Sequence, residues 1–219
     1  MYKIVRKEIL TPNITLMEVM APRLASSAQP GQFLIVRVGE NGERIPLTIC
    51  NYNRERGTVT IVTQIVGASS FKICSLNEGD SFTDVVGPLG QPSELIDILP
   101  DKLQEMKFLF IAGGLGTAPV YPQAKFLHER GAYVDIIVGA KTKDMVILEK
   151  EMSAVCNHLY ICTDDGSYGE KGLVTAMVDK LMEGGAVYDQ AVAIGPMIMM
   201  KFASLTTKKY NLPLIVSLN

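Results

Sequence analysis

The pattern of apolar residues changes near residue 100, and that change constrains the fold more than any single motif. Before it, stretches such as Gln32–Val38 (QFLIVRV) and Thr58–Val66 (TVTIVTQIV) are dense in β-branched residues, which suit a pleated surface. Turn signals punctuate this half at Pro30-Gly31, Asn41-Gly42, Arg56-Gly57 and Glu78-Gly79-Asp80. Short strands at this spacing predict an antiparallel barrel or sandwich. From about residue 105, apolar runs alternate with helical spacing. Lys107–Ala112, Tyr133–Val138, His158–Cys162, Ala191–Ile194 and Leu214–Leu218 read as strands. Val120, Ala124 and Leu127 share one helix face closed by Gly131, and Leu173, Met177 and Leu181 share another. This alternation predicts a doubly wound parallel α/β sheet with helices on both faces. The chain therefore reads as two domains, 1–98 and 99–219, with Pro92–Asp101 as the linker.

Bulk properties exclude several classes. A formal charge of −2 with dispersed lysine and arginine lacks the basic footprint of a nucleic-acid binder. No apolar run is long enough to span a bilayer, and the opening MYKIVRKEIL has no signal-peptide core. The expectation is a cytoplasmic protein with neither nucleic-acid nor membrane partners. Cys50, Cys74, Cys156 and Cys162 match no CxxC or zinc spacing, so they read as reduced and mostly buried.

The most informative local feature is Phe110-Ile111-Ala112-Gly113-Gly114-Leu115-Gly116-Thr117-Ala118-Pro119. An apolar strand runs into a glycine cluster and a helix follows at once. Glycines let a backbone approach a pyrophosphate, and the helix N-terminus offers N–H groups and a positive dipole end. The pattern is G-x-G-x-x-P, and a tight turn without a ligand is the competing reading. Gly139-Ala140, Thr163–Ser167 and Gly195-Pro196-Met197 are each expected at the carboxyl end of a strand, the edge where open α/β sheets bind ligands.

In the first half, Arg44-Ile45-Pro46-Leu47-Thr48-Ile49 places residues 44, 46 and 48 on one face of an extended segment. A guanidinium can grip a phosphate bidentately, and the proline suggests an edge strand. A solvated arginine is the bland alternative. Val66-Gly67-Ala68-Ser69-Ser70 precedes a helix-like Phe71–Leu76. It offers hydroxyls and N–H groups to an anion, or a plain serine cap. Asp84–Gly90 (DVVGPLG) reads as a strand ending in a glycine-proline turn.

The ordered set R-x-P-L-T, G-x-x-S, G-P-L-G, G-G-x-G-x-A-P and G-P-M resembles the ferredoxin–NADP reductase superfamily along essentially the whole chain. That family joins a FAD-binding antiparallel barrel to an NAD(P)-binding α/β domain. Within it, the chain most resembles the small subunit of NADH-dependent ferredoxin–NADP oxidoreductases of the sulfide dehydrogenase type. ERIPLTIC, GGLGTAPVYPQ and AIGPMIMMK carry that preference over the related electron-transfer subunit of dihydroorotate dehydrogenase. The resemblance implies that Arg44 binds the FAD pyrophosphate and that Thr48 sits beside the isoalloxazine ring. Pro46, Leu47, Val62, Thr63 and Gln64 join the flavin set, and Gly67, Ser69 and Ser70 hold its phosphates. Gly114, Gly116, Thr117, Asp165, Gly195, Pro196 and Met197 line the NAD(H) or NADP(H) site.

The family chemistry is hydride transfer between nucleotide and flavin, with electrons passed to a larger flavoprotein or iron–sulfur catalytic subunit, or to ferredoxin. The cofactors carry it, so no catalytic side chain is required beyond positioning by Thr48. His128 and His158 read as structural. Both groups continue into a segment whose cysteines hold a [2Fe–2S] cluster. This sequence stops at Asn219, and its four cysteines lack that clustered spacing, so no metal site is expected within it. Many members carry a cysteine just before Gly195-Pro196, where this chain has Ala193-Ile194; no catalytic thiol is expected. Lys141-Thr142-Lys143 follows the second α/β strand, where a ribose or its 2′-phosphate is read; the positive charge suits a phosphate, solvated lysines are the commoner explanation, and the donor stays open. A non-catalytic nucleotide-binding regulator is the alternative from another class.

Overall fold

Alternation of side chains builds the first half of the chain. In a computed structural model that describes residues 2–217, strands β1 (Tyr2–Thr11), β2 (Ile14–Met20), β3 (Phe33–Arg37), β4 (Ile45–Asn53), β5 (Thr58–Gln64), β6 (Ser81–Phe82) and β7 (Asp84–Leu89) form one seven-stranded sheet. Its order is β6-β1-β2-β5-β4-β3-β7, and every registered pair is antiparallel. The end strands β6 and β7 are separated in sequence by Thr83, so the sheet curls into a nearly closed barrel. Helix α1 (Pro22–Ser27) follows β2 and α2 (Ala68–Ser75) follows β5. Ile4, Met17, Leu34, Ile49, Val59, Ile61, Ile73 and Phe82 fill the barrel core, each removing about 1.5–3 kcal/mol worth of apolar side chain from water.

The second half is a six-stranded parallel sheet. Strands β8 (Lys107–Gly113), β9 (Tyr133–Ala140), β10 (His158–Thr163), β11 (Glu170–Lys171), β12 (Gln190–Ile194) and β13 (Leu214–Val216) run in the order β11-β10-β9-β8-β12-β13. Between and around them lie α3 (Pro100–Glu105), α4 (Thr117–His128), α5 (Glu149–Ser153), α6 (Val174–Glu183) and α7 (Met197–Lys209). Strand β8 is central, and Phe108 through Ala112 are fully buried, as expected when helices cover both faces. The chain leaves β8 for β9 on one side and returns to β12 on the other. That makes the carboxyl end of β8 the topological switch point.

The chain divides into two compact units, Met1–Glu94 and Leu95–Asn219. Several expectations need correction. The 92–101 stretch is not a bare linker: it holds a 3-10 turn at Glu94–Asp97 with Leu95 buried, and α3 begins at Pro100. Leu173 is the exposed N-cap of α6, whose buried face is Val174, Met177 and Val178. The last expected strand is observed over Leu214–Val216, and Leu218 lies outside the described residues. The Pro46 segment belongs to β4, an interior strand of the sheet, so the expected edge is only local: Ile45–Thr48 is registered with β3 and not with β5.

Candidate functional site

Local pairing explains how proline fits an interior strand. Residues Ile45–Thr48 are registered with β3 alone, through Val36↔Ile45, Ile35↔Pro46, Leu34↔Leu47 and Phe33↔Thr48. The ladder to β5 starts only at Ile49↔Ile61 and runs to Asn53↔Thr58. On the other strand, Val62, Thr63 and Gln64 are registered with β2 alone. Strands β4 and β5 therefore part beyond Ile49 and Ile61. Pro46-Leu47-Thr48 flanks the opening on one side and Val62-Thr63-Gln64 on the other. Proline carries no N–H, so it is tolerated where no second ladder exists.

The faces are also fixed. Ile45, Leu47 and Ile49 pack with the barrel core, so Pro46 and Thr48 point to the opposite face. Val59 and Ile61 set the core side of β5, which puts Thr63 on that side and Val62 and Gln64 on the other. Leu47 and Thr63 can thus offer the opening only backbone. The Thr63 hydroxyl is buried without a hydrogen-bond partner.

Beyond β5 the chain turns through Ile65–Gly67 into the eight-residue α2. A Cβ built on Gly67 meets nothing within 4 Å, so this turn is open. The Ser70 hydroxyl accepts from Val66 N and Gly67 N at 2.8 and 3.0 Å and donates to Gly67 O at 3.0 Å. Gly67 is the N-cap of α2, and the Ser70 hydroxyl, at the third helical position, reaches back to it and is committed to the turn. Ser69 differs: its hydroxyl donates to the Glu43 carboxylate, 26 residues away. Arg44 lies just before β4, exposed, with its guanidinium 3.0 Å from Asp84.

In the second unit, the four expected loops converge on one edge. Gly113 is registered with Gly139, Ala112 with Ile194 and Ala140 with Thr163. The glycines of the switch-point turn then divide by task. A Cβ on Gly116 would lie 2.2 Å from Ile194 O, and one on Gly113 2.4 Å from Met199 Sδ. A Cβ on Gly195 would lie 2.8 Å from Met199 Cε. These three let the β8 turn press against the end of β12 and its turn into α7. Gly114 is different: φ is +53° and a Cβ there meets nothing within 4 Å. Gly114 is therefore the open glycine of the turn, and Gly116 is a packing glycine. Thr117 begins α4 fully buried, its hydroxyl without a partner. Pro196 is the N-cap of α7, and Met197 follows it, exposed.

The loop after β10 is ordered by its own side chains. Ser167 donates to Asp165 Oδ1 through its hydroxyl at 2.7 Å and its N–H at 2.9 Å. Those donors hold the Asp165 carboxyl below the usual carboxylate range. The Ser167 hydroxyl in turn accepts from Lys143 N at 2.8 Å, and Lys143 Nζ stands 5.2 Å from the Tyr168 ring centroid.

None of the four cysteines is in a disulfide; Cys50, Cys74 and Cys162 are buried and Cys156 is half-buried. Burial, reinforced by nearby carboxylates, pushes the Cys156 and Cys162 thiols up to about 11. Among the described residues no group of three or more His, Cys, Asp or Glu side chains is placed to hold a metal ion. No helix among them is long and apolar enough to cross a membrane. His158 Nδ1 lies 3.0 Å from Asp135 Oδ1, towards the amino end of the sheet and away from the carboxyl-end loops. Sequence reasoning missed Glu43 and Asp84, because nothing local ties residue 43 to 69.

No family model matches the chain, but relatives do. It is 52% identical over 220 residues to an uncharacterized protein in the adh 3′ region of Clostridium beijerinckii, covering 100% of this chain and 74% of that protein. It is 39% identical over 217 residues to a homologue of the dihydroorotate dehydrogenase B (NAD(+)) electron transfer subunit of Thermotoga maritima, covering 99% and 74%. The corresponding Streptococcus pneumoniae subunit is 32% identical over 206 residues, with 93% and 77% covered. A solved NADH-dependent reduced ferredoxin–NADP oxidoreductase, described for flavin-based electron bifurcation, superposes with TM-score 0.89 at 36% identity, covering 100% of this chain and 76% of that one. Phthalate dioxygenase reductase, at 19% identity, TM-score 0.71 and coverage of 98% and 67%, shares the fold. Identity sustained along nearly the full length of the chain, on this two-unit architecture, places it in the family of dihydroorotate dehydrogenase B electron-transfer subunits and their homologues, within the ferredoxin–NADP reductase superfamily.

Proposed function

We propose that the chain is the flavin- and pyridine-nucleotide-binding subunit of an electron-transfer oxidoreductase, with FAD in the first unit and NAD(P)H in the second. The observation that carries it is the parting of β4 and β5 beyond Ile49 and Ile61, which leads directly into the open Gly67 turn and the N-terminus of α2. A flavin held between Pro46–Thr48 and Val62–Gln64 would supply hydride acceptance from a nicotinamide and the release of electrons one at a time.

The chain's own residues supply binding and alignment. Arg44 would grip the pyrophosphate, aided by the Ser69 hydroxyl and the first-turn N–H groups of α2, which have no intrahelical acceptor. Ser70 supports them by holding the turn. Pro46 and Thr48 line one side of the ring system, Val62 and Gln64 the other, with the Leu47 and Thr63 backbones between. In the second unit, the open backbone at Gly114 and the N-terminus of α4 at Thr117 receive the dinucleotide phosphates. Asp165, a fixed acceptor, suits nucleotide hydroxyls rather than phosphates. Gly195, Pro196 and Met197 complete that edge, and Gly116 shapes it by packing.

The family names point to a larger catalytic partner subunit. The NADH-dependent ferredoxin–NADP oxidoreductase assembly fits best, since the solved structure of that name superposes along the whole chain. A dihydroorotate-oxidising partner is the second reading, favoured by the Thermotoga and Streptococcus relatives. The test is the visible spectrum of the chain after incubation with FAD and removal of excess, followed by anaerobic NADH or NADPH. Retained flavin that bleaches supports the reading, and the more effective nucleotide identifies the donor. A folded protein that retains no flavin refutes it.

A further inference from the structure

The Gly67–Ser70 turn contains two serines with different hydrogen-bonding fates. Ser70 closes the helix cap locally. The Ser69 hydroxyl reaches across to the carboxylate of Glu43 in the loop between β3 and β4. That contact closes no turn and caps no helix. A serine carries one O–H, so a proton given to Glu43 is not given to a phosphate. Glu43 also directly precedes Arg44, and Arg44 itself lies 3.0 Å from Asp84. Both groups proposed for the pyrophosphate are thus in contact with carboxylates, whose acceptor oxygens resemble those of a phosphate.

The loop carrying Glu43 is fastened at its other end. Arg37 Nη1 donates to Glu40 O at 2.8 Å, and Gly39 N donates to Thr83 Oγ1 at 2.8 Å. Glu43 is exposed, so it can leave Ser69 by rotating its side chain while those anchors stay in place. If it stayed, its charge would sit beside a pyrophosphate and repel it.

Resting on the flavin reading above, we infer that Glu43 is an internal competitor for the flavin phosphate subsite: its carboxylate takes the Ser69 proton and must be released when the dinucleotide binds. Flavin binding is then an exchange of one oxyanion for another. Removing the carboxylate tightens binding, whereas removing the cation Arg44 weakens it.

The test is a FAD fluorescence titration of the full chain as wild type, E43Q, S69A, the E43Q/S69A double variant and R44A, with far-UV circular dichroism to establish folding. E43A serves as a second variant should glutamine mimic the contact. The expected result is about a fivefold lower Kd for E43Q, the size of an exposed charge interaction, with a smaller gain in the S69A background. R44A is expected to raise Kd. An unchanged or raised Kd for both E43Q and E43A overturns the inference, and so does an undiminished gain without Ser69. If folded wild type and all variants fail to bind FAD, the flavin reading itself falls, which distinguishes the two failures.

Discussion

Gly116→Ala should destabilise the second unit severely, although the change adds one methyl group. The new Cβ would lie 2.2 Å from Ile194 O, 2.6 Å from Ile194 C and 2.8 Å from Gly195 Cα. All three are backbone atoms at the end of β12, so no side chain can swing aside. Restoring ordinary contact needs a shift of roughly 1 Å in a segment whose residues Ala191–Ile194 are buried and laddered to β8. Overpacking of this kind costs about 3 kcal/mol, or about 10 °C in the melting temperature of a unit this size. Gly114→Ala is the control from the same turn. It meets open space and suffers only from its φ of +53°, worth about 1–2 kcal/mol. Thermal unfolding of the three proteins by circular dichroism separates them. A Gly116→Ala melt equal to or above that of Gly114→Ala would refute the division of the turn into packing and open glycines.

Two further outcomes follow from buried polar groups. Tyr188→Phe should cost about 1–3 kcal/mol, because the Tyr188 hydroxyl donates at 2.6 Å to Asp135, a carboxylate only 3% exposed; an unchanged melting temperature would show that His158 suffices. The thiols of Cys156 and Cys162, pushed up to about 11 by burial, stand above the roughly 8.5 of an unfolded cysteine. Folding therefore favours their protonated form, and their contribution is complete below about pH 8.5 and lost as pH rises towards 11. Urea midpoints should fall between about pH 8 and about pH 10, more steeply in wild type than in a C156A/C162A variant; parallel declines would exclude the thiols as the cause.

How much of this was legible depended on how local each signal is. Lys107–Ala112 read as a strand because burial on both faces leaves an unbroken apolar run from Phe108; its central place in the sheet is visible only in the topology. The glycine turn read as a ligand edge because strand, turn and helix are contiguous. Strands β1 and β2 were missed for opposite reasons. Bulges between Ile4 and Arg6 and between Ile9 and Thr11 break the alternation of β1. In β2, Ile14 to Val19 are all buried, including Glu18, which accepts from Thr58 Oγ1 at 2.6 Å and pairs with Arg56. The Arg44–Thr48 face was legible from alternation, but the parting of β4 from β5 was not, because register is a property of two strands. Glu43 was invisible for the same reason: its partner is remote in sequence.

The single residue between β6 and β7 has a consequence for biosynthesis. Thr83 is the clasp of the barrel, its N–H donating to Arg37 O at 2.9 Å. Strand β1, made first, completes its pairing only when Ser81 and Phe82 arrive, and β3 acquires its second neighbour only with β7. A nascent chain ending before residue 81 therefore carries two open sheet edges at once, each a template for pairing with another chain. The 81–89 segment supplies both missing neighbours within a few residues of synthesis, pairing Tyr2 and Lys3 of β1 and Phe33 to Arg37 of β3, and so turns the curled ribbon into a nearly closed barrel.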